Sequence, residues 1–140
     1  PELYREYQRL GVQVILQAWH DGGLKRREFR RSGRTLGKVI RATVQGHAVC
    51  NHLWICASNT SQSRSCFGAF AVRPNGAIVS RSKRDRPGVL TVDIDPDLPT
   101  EDPAATWRRR AMGGLLHSGT AVEDPRSIDR TCLGDPFARD

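Results

Sequence analysis

Long hydrophobic runs are missing from this sequence. Its apolar stretches are short, such as Val12–Leu16 and Val89–Ile94, and none approaches the roughly 20 residues that a membrane-spanning helix needs. We expect no signal peptide, because the first residues contain no apolar segment. Apolar residues make up 38% of the 140 positions, which is low for a globular chain but allows one domain with a buried core. Fibrous, collagen-like and fully disordered chains are excluded.

Lysine is also scarce, although the chain is basic. It holds 22 basic and 15 acidic residues, a formal charge of +7, and lysine occurs only at positions 25, 38 and 83. Six basic residues and one acid lie in Lys25–Arg34. Such a run can contact nucleic-acid phosphates, but Phe29 is its only aromatic residue. We therefore expect a solvated helix entrance or a subunit interface, with nucleic-acid binding as the less favoured alternative.

The four cysteines, at positions 50, 56, 66 and 132, include no C-x-x-C pair and no Cys/His quartet with metal-ligand spacing. We accordingly predict no metal site and no cofactor. Cys50 and Cys56 lie in apolar stretches, where a free cysteine behaves as a small buried hydrophobe. A reducing, cytoplasmic compartment is the simplest interpretation.

Helical and strand-like segments alternate along the chain, which predicts an α/β fold. We expect a helix over Glu2–Leu10 that ends at Gly11, and a second helix over Arg30–Cys50. Pro74-Asn75-Gly76 predicts a tight turn. Strands are expected near residues 12–17, 52–58, 67–73, 77–82 and 88–95. We divide the chain into a partial domain over 1–95, a linker and helix over 96–120 (the helix at 103–116), and a polar arm over 121–140.

A complete catalytic set is not visible. The sequence has no G-x-S-x-G elbow and no glycine-rich phosphate loop. Its closely spaced carboxylates, Asp93 with Asp95 and those of the linker, are better explained by turns. Composition and spacing alone therefore indicate an α/β domain with a basic surface.

Four segments resemble, in order, motifs of the nitrilase-like carbon–nitrogen hydrolases. Residues 1–5 with the strand 12–16 are similar to the R-F-P-E-L-x-R segment and strand that follow the family's nucleophilic cysteine. Residues 48–59 resemble its A-I-E-N helix end and v-v-x-a-N strand. Residues 68–76 resemble its G-x-S-x-I-x-x-P-x-G hairpin, and 89–95 its closing v-l-v-a-x-I-D strand. The resemblance covers about residues 1–95.

The resemblance implies the C-terminal half of an α-β-β-α sandwich, with two long helices on one outer face and an unpaired edge at the strand Val12–Leu16. It also implies a Glu-Lys-Cys triad located before residue 1, so we assign no catalytic residue here. Two departures are notable: Cys50 stands where the family has Glu, and Ala69-Phe70 replaces small hydroxylated residues.

What remains for this chain is the wall of a substrate pocket. Four of the candidate residues also have an ordinary structural explanation. Trp19 is explained equally well as an aromatic in the core or rim, and His20 as an exposed loop histidine. Asp21 is explained as a turn former before Gly22-Gly23, and Asn59 as a residue that caps backbone groups. The predicted substrate-binding residues are Trp19, His20, Asp21, Asn59, Arg64 and Phe67.

The function implied is an amidase-type hydrolase acting on a non-peptide amide or carbamoyl bond, assembled as a homodimer or higher homo-oligomer. This chain alone is expected to be inactive. The alternatives are a nitrilase-like binding or regulatory module without activity, and a basic nucleic-acid-binding α/β domain.

Overall fold

A computed structural model of the protein describes residues 2–98. Helix α1 runs Glu2–Arg9 and ends as predicted at Gly11, whose φ of +80° is readily available only to glycine. The amide of Gly11 donates to the carbonyl of Gln8 (3.1 Å), and that of Val12 to Tyr7 (3.0 Å). This turn directs the chain from the helix into the first strand.

The second helical region is longer than the sequence predicted. Helix α2 covers Arg26–Glu28, a π-helical turn covers Phe29–Gly33, and α3 runs Arg34–Asn51. The Glu28 carboxylate accepts a hydrogen bond from the Lys25 amide (3.1 Å), which caps the start. The predicted helix began at Arg30, because the dense run of basic residues before it has no apolar periodicity that would indicate the earlier helical turn.

The four strands form one mixed sheet in the order β1-β2-β3-β4. They are β1 Val14–Ala18, β2 Trp54–Ser58, β3 Phe70–Val72 and β4 Ile78–Arg81. The pair β1–β2 is parallel and joined through the helices, whereas β2–β3 and β3–β4 are antiparallel. Among the described strands, β1 pairs only with β2, so the expected free edge is present.

The predicted tight turn joins β3 to β4. Gly76 has a φ of +83° and its amide donates to the carbonyl of Arg73 (2.8 Å). The Asn75 side chain accepts a hydrogen bond from the Ala77 amide (3.0 Å). Proline, asparagine and glycine each take the backbone conformation that this turn requires.

The strand predicted at 88–95 is wrong. These residues have no strand assignment, although Leu90, Val92 and Ile94 line an apolar cavity together with residues of β1, β2 and β3. The segment is held by side chains, since the Trp54 indole donates to the carbonyl of Asp95 (2.9 Å). The apolar alternation is real, but the segment lies over the sheet face rather than beside a strand, so no ladder forms among the described residues.

The core lies between the sheet and the helices. Val44 and Ala48 of α3 pack with Ile55 of β2 and Phe70 of β3. Helix α1 is on the same side, because Tyr4 stacks on His47 of α3 with ring centroids 4.1 Å apart. Both helices therefore cover one face, as expected. On β1, Leu16 points to the other face and is 80% exposed.

The structure shows an α/β fold, and residues 3–98 form one compact unit. The predicted helix at 103–116 and the polar arm at 121–140 lie outside the described residues. No helix within residues 2–98 is long and apolar enough to cross a membrane.

Candidate functional site

Two loops meet where the parallel strands β1 and β2 end. Ala18 and Ser58 are register partners, so the carboxyl ends of both strands lie at one edge of the sheet. The amide of Trp19 still donates to the carbonyl of Ser58 (3.0 Å). Ligand sites of α/β sheets are formed at such ends, and the two loops that follow contain all six predicted residues.

Asn59 ties these loops together. Its Oδ1 accepts a hydrogen bond from the Asp21 amide (2.8 Å). Its Nδ2 donates to the carbonyls of Asp21 (3.0 Å) and Phe67 (2.8 Å). The side chain thus satisfies backbone groups from two loops, which agrees with the interpretation of Asn59 as a capping residue and makes it the organising group of this edge.

Ser65 is a structural residue that the sequence analysis missed. It is fully buried, and its hydroxyl is within hydrogen-bonding distance of the carbonyls of Gln62 (2.6 Å) and Thr60 (3.2 Å). Its amide donates to the Asp85 carboxylate (2.8 Å). Four serines lie between residues 58 and 65, so nothing in the sequence distinguished this one.

The glycine pair was a usable signal for the contact between the loops. A Cβ on Gly22 would lie 2.5 Å from Cγ2 of Thr60 and 2.8 Å from Oγ of Ser65. Gly23 has a φ of +70°, and its amide donates to the carbonyl of Ser63 (3.0 Å). Gly22-Gly23 is therefore required by close approach as much as by turn geometry.

Two polar atoms at this edge keep unused hydrogen-bonding capacity. Nε1 of Trp19 and Oδ2 of Asp21 are buried, and neither has a hydrogen-bond partner in the part of the chain described here. Buried polar groups are nearly always paired. The indole of Trp19 is otherwise held by an edge contact with Phe67, with ring centroids 5.9 Å apart.

Cys66 lies beside this pair as a protonated thiol. Burial raises its pKa from the ordinary value of 9.0 to about 12, and the neighbouring Asp21 carboxylate acts in the same direction, against a smaller opposing effect of Arg84. Between pH 9 and 12 the Cys66 thiol keeps its proton in the folded protein, whereas it loses the proton in the unfolded chain. The free energy of unfolding therefore falls as the pH rises from 9 towards 12. A thiol in this state is not a nucleophile near neutral pH.

The structure brings together only part of the predicted set. Trp19, Asp21, Asn59 and Phe67 are neighbours, and Phe67 is a core side chain at 1% exposure. His20 is exposed. Arg64 is also exposed, and its Nε donates to the carbonyl of Leu24, which directs it towards the arginines of α2 and the π turn. Substrate contact at all six residues stays a prediction.

Thiol labelling checks the assignment of Cys66. With iodoacetamide at pH 8 and peptide mapping by mass spectrometry, Cys50, which is exposed, should be alkylated in the folded protein. Cys66 should stay unmodified until denaturant is added, because it is buried and its thiolate is scarce. Alkylation of Cys66 in the native protein at a rate comparable to Cys50 would contradict this arrangement.

Metal chemistry has no support in the described residues. No group of three or more His, Cys, Asp or Glu side chains within residues 2–98 is placed to hold an ion.

A cavity of about 250 Å³ opens beside Asn59, between its loop and residues 82–88. What this edge offers chemically is a tied pair of loops, a small cavity, one indole donor and one carboxylate acceptor.

Comparison with known proteins identifies the family. The carbon-nitrogen hydrolase family matches residues 1–103. No curated protein matches the chain, and no solved structure does. The family match spans most of the chain and includes every segment on which the resemblance rests, in an α/β fold with helices and a mixed four-stranded sheet. The chain therefore belongs to the carbon–nitrogen hydrolase family.

Proposed function

We propose that this chain forms a pocket wall of an amidase-type carbon–nitrogen hydrolase that cleaves a non-peptide amide or carbamoyl bond. The observation that carries the proposal is the Asn59-tied edge at the carboxyl ends of β1 and β2, within a chain of this family. The cavity beside Asn59 is of a size for a small molecule rather than a folded protein.

The proposed reaction proceeds through a cysteine thioester. A thiolate attacks the amide carbon, and a positively charged lysine stabilises the developing oxyanion. The carbon–nitrogen bond breaks, and the amine leaves with a proton that a glutamic acid donates. Water then attacks the thioester, releasing the carboxylic acid and restoring the thiol. In this proposal the glutamate, lysine and cysteine lie outside residues 1–140, as the resemblance of residues 1–5 to the segment after the family's nucleophile implies.

The described cysteines support a nucleophile located elsewhere. Burial raises the pKa of both Cys56 and Cys66, which opposes thiolate formation. Cys50 is exposed near the end of α3, away from the loops at the strand ends. In the proposal these loops bind substrate at the cavity beside Asn59.

Acyl-enzyme trapping in the intact protein tests this proposal. Rapid acid quenching with small primary amides and carbamoyl compounds, followed by peptide mass spectrometry, should locate the adduct on a cysteine outside residues 1–140. Cys66→Ala should leave the adduct unchanged, and Cys50→Ala is the matched control. An adduct on Cys66 that the Cys66→Ala substitution abolishes would show that the active site lies within residues 1–140, which would contradict the proposal.

Cys50 favours a second candidate function, a family member without activity that serves as a binding module. It stands where the family has Glu. In that case no acyl adduct would form anywhere in the intact protein. The proposal also includes a cytoplasmic location. It further includes assembly as a homodimer or higher homo-oligomer, and sedimentation velocity measures this oligomeric state.

A further inference from the structure

A strongly basic concavity lies between α3 and the end of β4. It has a volume of about 470 Å³, and no acidic side chain lines it in the described part of the chain. Ser82 and residues 66–68 form the remainder of its wall. The positively charged side chains that line it are Arg34, Lys38, Arg41, Arg81 and Arg84.

Two glycines bring these charges together. A Cβ on Gly37 of α3 would lie 2.1 Å from the carbonyl oxygen of Cys66, and one on Gly68 would lie 2.7 Å from that of Ser82. The amide of Ser82 also donates to the carbonyl of Ala69 (2.8 Å). The turn 66–68 is thus clamped between α3 and the end of β4, so that basic side chains from distant parts of the sequence face one cavity.

Few of these charges are neutralised by side chains within residues 2–98. Residues 1–98 hold 16 of the 22 basic residues but only 8 of the 15 acidic ones. Within the described side chains, Arg84 alone of the five forms an ion pair, with Asp85 at 3.6 Å. Arg34, Lys38 and Arg41 follow one another at spacings of four and three along α3, where like charges destabilise a helix. A bound anion would relieve this repulsion.

The basic surface continues into a second concavity of about 570 Å³, which shares Arg34. It is lined by Arg26, Phe29, Arg30, Arg34 and Arg64. The ring of Phe29 is covered by the Arg84 guanidinium, 4.9 Å from its centroid, and Phe67 is buried in the core. One face of Phe29 and the whole ring of Phe67 are therefore closed to the bases that proteins stack when they bind single-stranded nucleic acid.

We propose that the α3–β4 concavity binds a small oligophosphate anion. Guanidinium groups match phosphate oxygens in a bidentate geometry, and the cation count suits a ligand with several negative charges rather than a single carboxylate. The scarcity of stacking surface at the two neighbouring phenylalanines favours a compact anion over a nucleic-acid strand. Phe67 lines this concavity, and Arg84 lines both it and the cavity beside Asn59. The test therefore uses Lys38 and Arg81, which do not line the cavity beside Asn59, so that its outcome is separate from that of the hydrolase reaction.

Titration calorimetry of the intact protein with inorganic tripolyphosphate, at 150 mM salt, tests the site. Lys38→Gln and Arg81→Gln should each weaken binding by about tenfold, which is the effect of losing one charge-assisted contact. Arg5→Gln removes the same charge from α1, outside the concavity, and should leave the affinity within about twofold. Circular dichroism and thermal unfolding establish that each variant is folded.

Further ligands identify the source of the phosphates. A nucleoside triphosphate should bind as tightly as tripolyphosphate, because only the phosphates are recognised, and orthophosphate should bind more weakly. Tripolyphosphate should raise the midpoint of thermal unfolding of the wild type but not of the double variant Lys38→Gln/Arg81→Gln. Absence of binding by the wild type, or equal weakening by Arg5→Gln, would overturn the proposal. So would a single-stranded oligonucleotide that binds more tightly and is not displaced by tripolyphosphate.

Discussion

Gly37→Ala should lower the free energy of unfolding by about 2 kcal/mol or more, although alanine is the better helix former by about 1 kcal/mol. Gly37 is buried in α3, and the new Cβ would lie 2.1 Å from the backbone carbonyl oxygen of Cys66. A backbone atom cannot move aside like the end of a flexible side chain. The helix must therefore shift away from the turn 66–68, which opens the core at Phe67.

Gly46→Ala provides the control in the same helix. Gly46 is exposed, and nothing lies within 4 Å of the position that its Cβ would take. Only helix propensity acts there, so stability should rise by about 0.5–1 kcal/mol. Urea denaturation of both variants compares the two effects. Changes of the same sign would show that α3 does not pack on the turn at Gly37.

Asn59→Ala should lower the free energy of unfolding by about 2–4 kcal/mol, because three hydrogen bonds are lost at about 0.5–1.5 kcal/mol each. The amide and carbonyl of Asp21 lose their side-chain partner together. Hydrogen exchange at the Asp21 amide should accelerate more than at β2, since the loop opens without unfolding the sheet.

Asn75→Ala is the matched control for this prediction. Asn75 is also an asparagine in a turn, but it is exposed and its Oδ1 accepts only one described hydrogen bond, from the Ala77 amide at 3.0 Å. Its loss should cost about 1 kcal/mol or less. Equal losses of stability in the two variants would mean that Asn59 does not hold the loops at the strand ends.

Elements with a strong local signal were predicted from the sequence. Helix α1, its end at Gly11 and the Pro74-Asn75-Gly76 turn are all set by residues close together in the chain. Strand β2 lies within its predicted range and β1 extends one residue beyond its own, to Ala18, because short apolar runs between helices have few alternatives in an α/β fold. The start of the second helical region was missed, since charged residues carry no apolar periodicity.

The position of the candidate site could be predicted from the sequence, but the path of its loop 59–68 could not. Parallel strands of an α/β fold place their carboxyl ends at one edge, which correctly located Trp19, Asp21 and Asn59 together. The outward direction of Arg64 and the burial of Phe67 depend on how the loop 59–68 folds back. That path is determined by Ser65, whose partners are backbone carbonyls and the Asp85 carboxylate, and backbone contacts of this kind leave no pattern in the sequence.

The sequence by itself determined the class of elements, the tight turn and the order of the family motifs, because each depends on neighbouring residues. Tertiary structure alone decided the rest. Within residues 2–98 it left 88–95 without a strand partner, since pairing requires a free edge alongside and not merely alternation. It raised the pKa of Cys66 by burial beside Asp21, 45 positions away in the chain. It also gathered basic residues of α3 and β4 around one cavity, because Gly37 and Gly68 permit backbones to approach where any larger residue would hold them apart.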